Sequence, residues 1–191
     1  MTETLTNQEL LLSVVCDEPE GKIKRNVYVM ELTPENIRKF WEKARKYKWL
    51  FNEQLRGDFN KFLGCFVEQD SAGNITARGL NWVVDDFVGV LNLTNITDSE
   101  ATAHISFLDG RIRGRKDLAI EMLKYAFVTY GFHRINTATP LFDKLATINF
   151  IKSLNFVPEG RKRKCVFYNG EWWDELHFGI LKEEFLNGSS A

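Results

Sequence analysis

Between residues 62 and 108 the chain offers four period-two segments in a row, and that succession limits the fold more than any other feature. They read as strands over 62–69, 75–84, 88–93 and 100–108, with Asp70-Ser71-Ala72-Gly73-Asn74 and Asp85-Asp86 as turn material. Parallel neighbours need a crossover of a dozen or more residues, which turns this short do not supply. This part of the sheet is therefore antiparallel. A mostly parallel dinucleotide-binding or P-loop sheet is excluded on that ground, and neither GxGxxG after a strand nor GxxxxGK[ST] occurs.

Around this block the periods alternate. Residues 25–32 read as a strand, and Thr33 then caps a helix with Pro34 and Glu35 in its first turn. Ile37, Phe40, Trp41, Ala44 and Tyr47 give that helix one apolar face. A second helix runs to about residue 130, with Leu118, Met122, Tyr125 and Ala126 on one stripe and Gly131 as its stop. A strand over 134–139 closed by Pro140, a helix over 143–154 and a hairpin turning at Asn169-Gly170 complete the chain. The expected fold is α/β, a mixed and mostly antiparallel central sheet flanked by helices. One domain over 11–186 is expected, with flexible ends at 1–10 and 187–191.

Fifteen Phe, five Trp and five Tyr supply a core and exclude disorder as the main state. A net charge of −1 argues against a nucleic-acid partner, although a local basic patch stays open. No apolar run approaches the roughly 18 residues of a membrane span, and MTETLTNQEL lacks the lysines of a signal peptide, so a cytoplasmic protein is expected. Cys16, Cys65 and Cys165 are scattered, as are His104, His133 and His177, which predicts reduced thiols and no metal site.

The junction after residue 108 carries the chemistry. Gly110 and Gly114 let backbone approach a ligand, and Arg111, Arg113, Arg115 and Lys116 place four cations in six residues ahead of a helix N-terminus. That combination suits a polyphosphate. With the nucleotide folds excluded, coenzyme A is the ligand that remains.

From about residue 100 to 185 the chain resembles the GNAT superfamily of N-acetyltransferases, in particular its ribosomal-protein-alanine acetyltransferase-like branch. Ala103-His-Ile-Ser-Phe-Leu is similar to the family's fourth strand, and the Arg-rich loop to its pyrophosphate loop. Leu123-Lys-Tyr-Ala-Phe, Gly131-Phe-His-Arg-Ile-Asn, the stretch 146–160 and the closing 170–185 follow in the family's order. Phe107-Leu-Asp-Gly-Arg-Ile-Arg-Gly-Arg also resembles the loop of phage- and prophage-type members. Departures are a long cation at one of the loop's small positions (Lys116 at the last, or Arg113 at the central Gly if Asp117 takes the usual Glu), Asn155 for a Gly, Lys144 where an Asn is common, and Ile151 where many members carry a Tyr.

The resemblance implies transfer of an acetyl group from acetyl-CoA to a primary amine by direct attack in a ternary complex. The amine can belong to a protein N-terminus, a Lys side chain or a small molecule. His104 is the expected base, with Glu100 in reserve on the same face and Ser106 beside the leaving thiol. The cofactor is expected along Ile105, Phe107 and Leu108, then at Arg111, Ile112, Arg113, Gly114, Arg115, Lys116 and Asp117. Lys144 and Lys152 are set to meet its 3′-phosphate. The altered loop and the missing Tyr keep open a GNAT-shaped binding module without turnover, and a homodimer is also left open. Asp85 and Asp86 read as turn residues, Trp82, Trp172 and Trp173 as packing, and Arg161-Lys-Arg-Lys164 as a solvated loop between helix and hairpin.

Overall fold

The computed structural model describes residues 9–18, 21–47, 53–108, 114–142 and 145–188. In chain order the elements are β1 (Leu10–Glu18), β2 (Gly21–Val29), α1 (Pro34–Ala44), α2 (Glu53–Gly57), α3 (Phe59–Leu63), β3 (Val67–Gln69), β4 (Ile75–Ala77), β5 (Leu80–Val84), β6 (Gly89–Thr94) and β7 (Glu100–Phe107). Then come α4 (Arg115–Thr129), β8 (Arg134–Pro140), α5 (Leu145–Ser153), β9 (Val157–Tyr168), β10 (Glu171–Leu181) and α6 (Lys182–Gly188). The chain divides into two compact units, residues 1–94 with 104–115, and residues 95–103 with 116–191.

In the first unit the strands are ordered β1-β2-β5-β6-β7, and β1–β2, β2–β5 and β5–β6 all pair antiparallel. Helix α1 begins as its sequence requires: the Thr33 hydroxyl accepts from Asn36 N, Pro34 opens the first turn, and Glu35 lies at the positive end. Its buried face, Ile37, Phe40, Trp41 and Ala44, packs with Phe62, Phe66 and Phe87. Phe40 sits edge-on to Phe62 and Phe66 with ring centres 5.3 and 5.7 Å away.

Two expectations fail in this unit, and one strand goes beyond them. The strand expected over 62–69 is helix α3 up to Leu63, because Asp58 caps it by accepting from Asn60 N and Lys61 N. The strand expected over 75–84 is two strands, since the chain passes β6 at Gly79, where a Cβ would lie 2.0 Å from the Leu93 carbonyl oxygen. Strand β1 was not expected at all. Its inward residues Val14 and Cys16 alternate with exposed Ser13, Val15 and Asp17, and the apolar Val15, 59% exposed, blurs the pattern.

In the second unit the order is β7-β8-β10-β9, antiparallel except for the parallel β7–β8 pair. That parallel ladder covers only Glu100–Thr102 against Arg134–Asn136, extended by the Thr137 hydroxyl donating to the Ala103 carbonyl at 2.9 Å. Gly131 (φ +74°) ends α4 and Asn155 (φ +66°) takes the left-handed conformation after α5, as their residue types allow. The Asn169-Gly170 hairpin is present, but β9 reaches back to Val157. The run Arg161–Lys164 is therefore strand, not loop. Helix α6 includes Asn187 and Gly188.

Candidate active site

Strand β7 ends at Phe107, and helix α4 starts at Arg115. Of the residues expected to hold a pyrophosphate, Arg111, Ile112 and Arg113 lie outside the described residues, as does Lys144 on the approach to α5. Gly114 has φ +70°, exposed Arg115 and Lys116 open the first turn of α4, and Asp117 follows there. The entry to α4 is anchored by a residue that the sequence shows only as one of three scattered thiols. Cys16, fully buried on β1, donates its thiol to the Gly114 carbonyl at 3.6 Å, and a Cβ on Gly114 would fall 2.2 Å from the Cys16 Cβ.

The side chains of β7 alternate. Ile105 and Phe107 share one face, with the Phe107 ring 3.1 Å from where a Cβ on Gly89 would stand. His104, Ser106 and Leu108 share the other, and Leu108 belongs to the core that includes α1. His104 is exposed, its Nε2 is 3.0 Å from the Thr94 hydroxyl, and the imidazole tautomer decides which of the two donates. Ser106 is half-buried.

Glu100 is engaged by neighbouring side chains. In the second unit Glu100 accepts from Asn136 Nδ2 at 3.0 Å and lies 3.8 Å from Arg134 Nε, while Arg134 also binds Glu159. Lys152 is exposed on α5, and Ile151 beside it is buried, so the position of the missing Tyr points inward.

Two asparagines escaped the sequence reading. Asn81 on β5 and Asn92 on β6 are each 8% exposed, and they are register partners. Asn92 Nδ2 donates to Asn81 Oδ1, and Asn81 Nδ2 donates to the Gly79 carbonyl at 3.1 Å. The signal was available: an amide in the middle of each of two otherwise apolar strands, Leu-Asn-Trp-Val-Val and Val-Leu-Asn-Leu.

Beside the end of β7 the first unit has a cavity of about 190 Å³. Tyr47, Phe87, Val88 and Leu108 line it on the apolar side, with Lys43, Lys46 and Asp86 as its charged residues. Lys43 is committed, donating to the Asp86 carbonyl and carboxylate at 2.5 and 3.1 Å. The turn that shapes the cavity is strained, with Asp85 and Phe87 both left-handed at φ +46° and +55°. Asp85 holds that turn by accepting from Asn26 N at 2.9 Å and Arg25 Nη1 at 3.0 Å. Among the described residues no group of three or more His, Cys, Asp or Glu is placed to hold a metal ion, and no helix is long and apolar enough to cross a membrane.

Comparison with known proteins gives this geometry a family. The first 70-residue match is to an uncharacterized, SPbeta prophage-derived N-acetyltransferase, YokL of Bacillus subtilis (strain 168), 30% identical and covering 37% of this chain and 39% of that protein. YnaD of the same organism, another uncharacterized N-acetyltransferase, is 33% identical over 69 residues, 36% of this chain and 40% of that protein. The match thus spans about two fifths of each relative's length. Among solved structures, the spermidine/spermine N-acetyltransferase SpeG of Vibrio cholerae superposes with a TM-score of 0.65 at 17% identity, over 85% of this chain and 98% of that one. A GNAT-family acetyltransferase of Bacillus anthracis gives 0.59 at 18% identity, over 91% and 100%. The fold is the GNAT fold, a mixed and mostly antiparallel sheet flanked by helices. Residues 80–177, just over half of the chain, match the family profile described as an acetyltransferase (GNAT) domain, and the chain belongs to that family.

Proposed function

We propose that this chain transfers an acetyl group from acetyl-CoA to a primary amine. The observation that carries the reading is the junction of β7 and α4, a helix N-terminus with Gly114 left-handed and Arg115 and Lys116 in the first turn. Those backbone N–H groups and cations suit the pyrophosphate of coenzyme A, with Arg111 and Arg113 adding charge from the loop and Lys144 and Lys152 set for the 3′-phosphate. The family match runs through residues of both units, which supports reading them as one catalytic domain.

When bound, acetyl-CoA supplies the activated acyl group, and the chain's own residues do the rest. His104 takes the proton that the amine must lose to attack. The amine nitrogen forms a C–N bond to the acetyl carbon, the thioester C–S bond breaks, and the proton the nitrogen still has to shed goes to the departing sulfur, which leaves as the thiol. Thr94 holds the imidazole in place, and the Ser106 hydroxyl on the same face relays that proton to the sulfur. Backbone N–H groups of β7 polarise the carbonyl. Bringing both substrates to one strand contributes proximity.

The stretches 123–127 and 146–160 resemble the ribosomal-protein-alanine branch, which supports a protein N-terminus as acceptor; a polyamine of the kind named for SpeG is the other candidate. Isothermal titration with acetyl-CoA, using desulfo-CoA and ATP as controls, tests the reading. Micromolar binding that Arg113→Glu abolishes is expected. No binding up to about millimolar, weaker than roughly −4 kcal/mol, would overturn it and leave a GNAT-shaped binding module.

A further inference from the structure

The amide pair of β5 and β6 has one workable orientation. The Gly79 carbonyl accepts and cannot donate, so Asn81 turns its Nδ2 to that carbonyl and its Oδ1 to β6. That oxygen can only accept in turn, so Asn92 presents Nδ2 to it and points its own Oδ1 away from β5, toward the β7 side. Gly79 is itself fixed where the chain passes β6. Among the described residues no donor meets Asn92 Oδ1, yet that oxygen is not sealed from solvent. It is an open acceptor on a residue otherwise buried.

Three contacts set the register of β6 and β7. Leu108 N donates to the Val88 carbonyl at 2.9 Å, the Phe107 ring lies beside Gly89, and the Thr94 hydroxyl is 3.0 Å from His104 Nε2. The strands thus run antiparallel with Val88 opposite Leu108, and that register sets Asn92 opposite His104. Asn92 and Thr94 share a face of β6, and the Thr94 contact makes it the face of His104 and Ser106. Opposed side chains on one face have Cβ atoms about 4.5 to 5.5 Å apart, close enough for one nitrogen to touch both.

Resting on the acetyltransferase reading, we infer that Asn92 Oδ1 holds the acceptor nitrogen, that Asn81 positions it, and that the pair selects primary over secondary amines. An ammonium group arrives with three hydrogens. One goes to His104, freeing the lone pair that forms the C–N bond. A second goes through Ser106 to the sulfur as the C–S bond breaks. The third stays on nitrogen as the amide N–H of the product, and Asn92 Oδ1 accepts from it throughout. A secondary amine has no third hydrogen, so it covers that oxygen and leaves it unpaired.

The test uses the full chain with acetyl-CoA and three primary amines: a hexapeptide N-terminus, the Lys side chain of an N-blocked hexapeptide, and spermidine. The fastest is compared with its N-methyl counterpart, and the primary amine is expected to lead in kcat/KM by at least about tenfold. Asn81→Leu combined with Asn92→Leu removes both amides and strands neither. That variant should lose at least about tenfold in kcat/KM for the primary amine and bring the two amines within about threefold of each other, with acetyl-CoA affinity unchanged. Asn81→Leu alone, which frees the Asn92 amide to turn, should fall between. Equal turnover of the two amines by the unaltered chain, or a preference that survives removal of both amides, would overturn the inference while the acetyltransferase reading stands. Failure of the unaltered chain to bind acetyl-CoA, or to acetylate any of the three amines, removes the acetyltransferase reading, and the inference falls with it.

Discussion

Gly114 is a residue whose absence of a side chain has two independent causes. Its φ of +70° penalises an L side chain, and Cys16 occupies the space a Cβ would need. Gly114→Ala should cost about 2 to 4 kcal/mol, lowering Tm by roughly 5 to 15 °C for a chain of this size. In a Cys16→Gly background the same change should cost clearly less, and a double-mutant cycle in urea reads the coupling. His104→Gln separates chemistry from binding: kcat should fall about 10² to 10⁴-fold with acetyl-CoA affinity unmoved in titration. The buried amide pair gives a third comparison. Asn81→Leu alone strands Asn92 and should cost about 1 to 3 kcal/mol, whereas leucine at both positions should be closer to neutral in stability. Denaturation of the two variants beside the unaltered chain checks it.

At the scale of elements, the bulge in β9 shows how one carboxylate shapes a strand. Between Trp173↔Val166 and Glu175↔Lys162 the register slips, Lys164 turns left-handed at φ +45°, and Asp174 accepts from Lys164 N at 2.8 Å and from Arg161 Nε. The Lys164 N–H above all, then the Arg161 guanidinium, holds the Asp174 carboxyl below its usual range. A carboxylate with a depressed folded pKa stabilises fully above its unfolded value of about 3.9 and loses that contribution as pH falls through the folded one. Asp174→Asn should therefore flatten the acid limb of stability below about pH 4, measured as Tm against pH. Here lies the limit of what the sequence made legible. Thr33-Pro34-Glu35, Asn155 and Asn169-Gly170 act locally, and each does what its chemistry says. The strand character of Arg161–Lys164 depends on Asp174 ten residues away, and β1 depends on pairing with β2 across an exposed Val15, so neither is local. Helix α3 was legible through Asp58, but Phe62-Leu-Gly-Cys-Phe-Val fits both periods in so short a run. For the site, the alternation on β7 fixed the faces of His104 and Ser106, whereas the engagement of Glu100 by Arg134 required two strands to meet.

For the whole molecule, ligand binding and stability are linked. If acetyl-CoA binds the folded chain alone, a hundredfold excess over Kd adds about 2.7 kcal/mol, a rise in Tm of roughly 5 to 10 °C that Arg113→Glu should erase. The contact between Cys16 and Gly114 adds a way to watch the same event. Cys65 is exposed and Cys165 partly so, and both are open to thiol reagents in the native state, even with desolvation holding the Cys65 thiol above its ordinary pKa. Cys16 has no exposed surface, so it reacts only when β1 lifts away from the entry to α4. The third thiol is thus a built-in clock for the separation of β1 from the entry to α4, and its rate of reaction with a thiol reagent, with and without acetyl-CoA, counts those openings at a native residue.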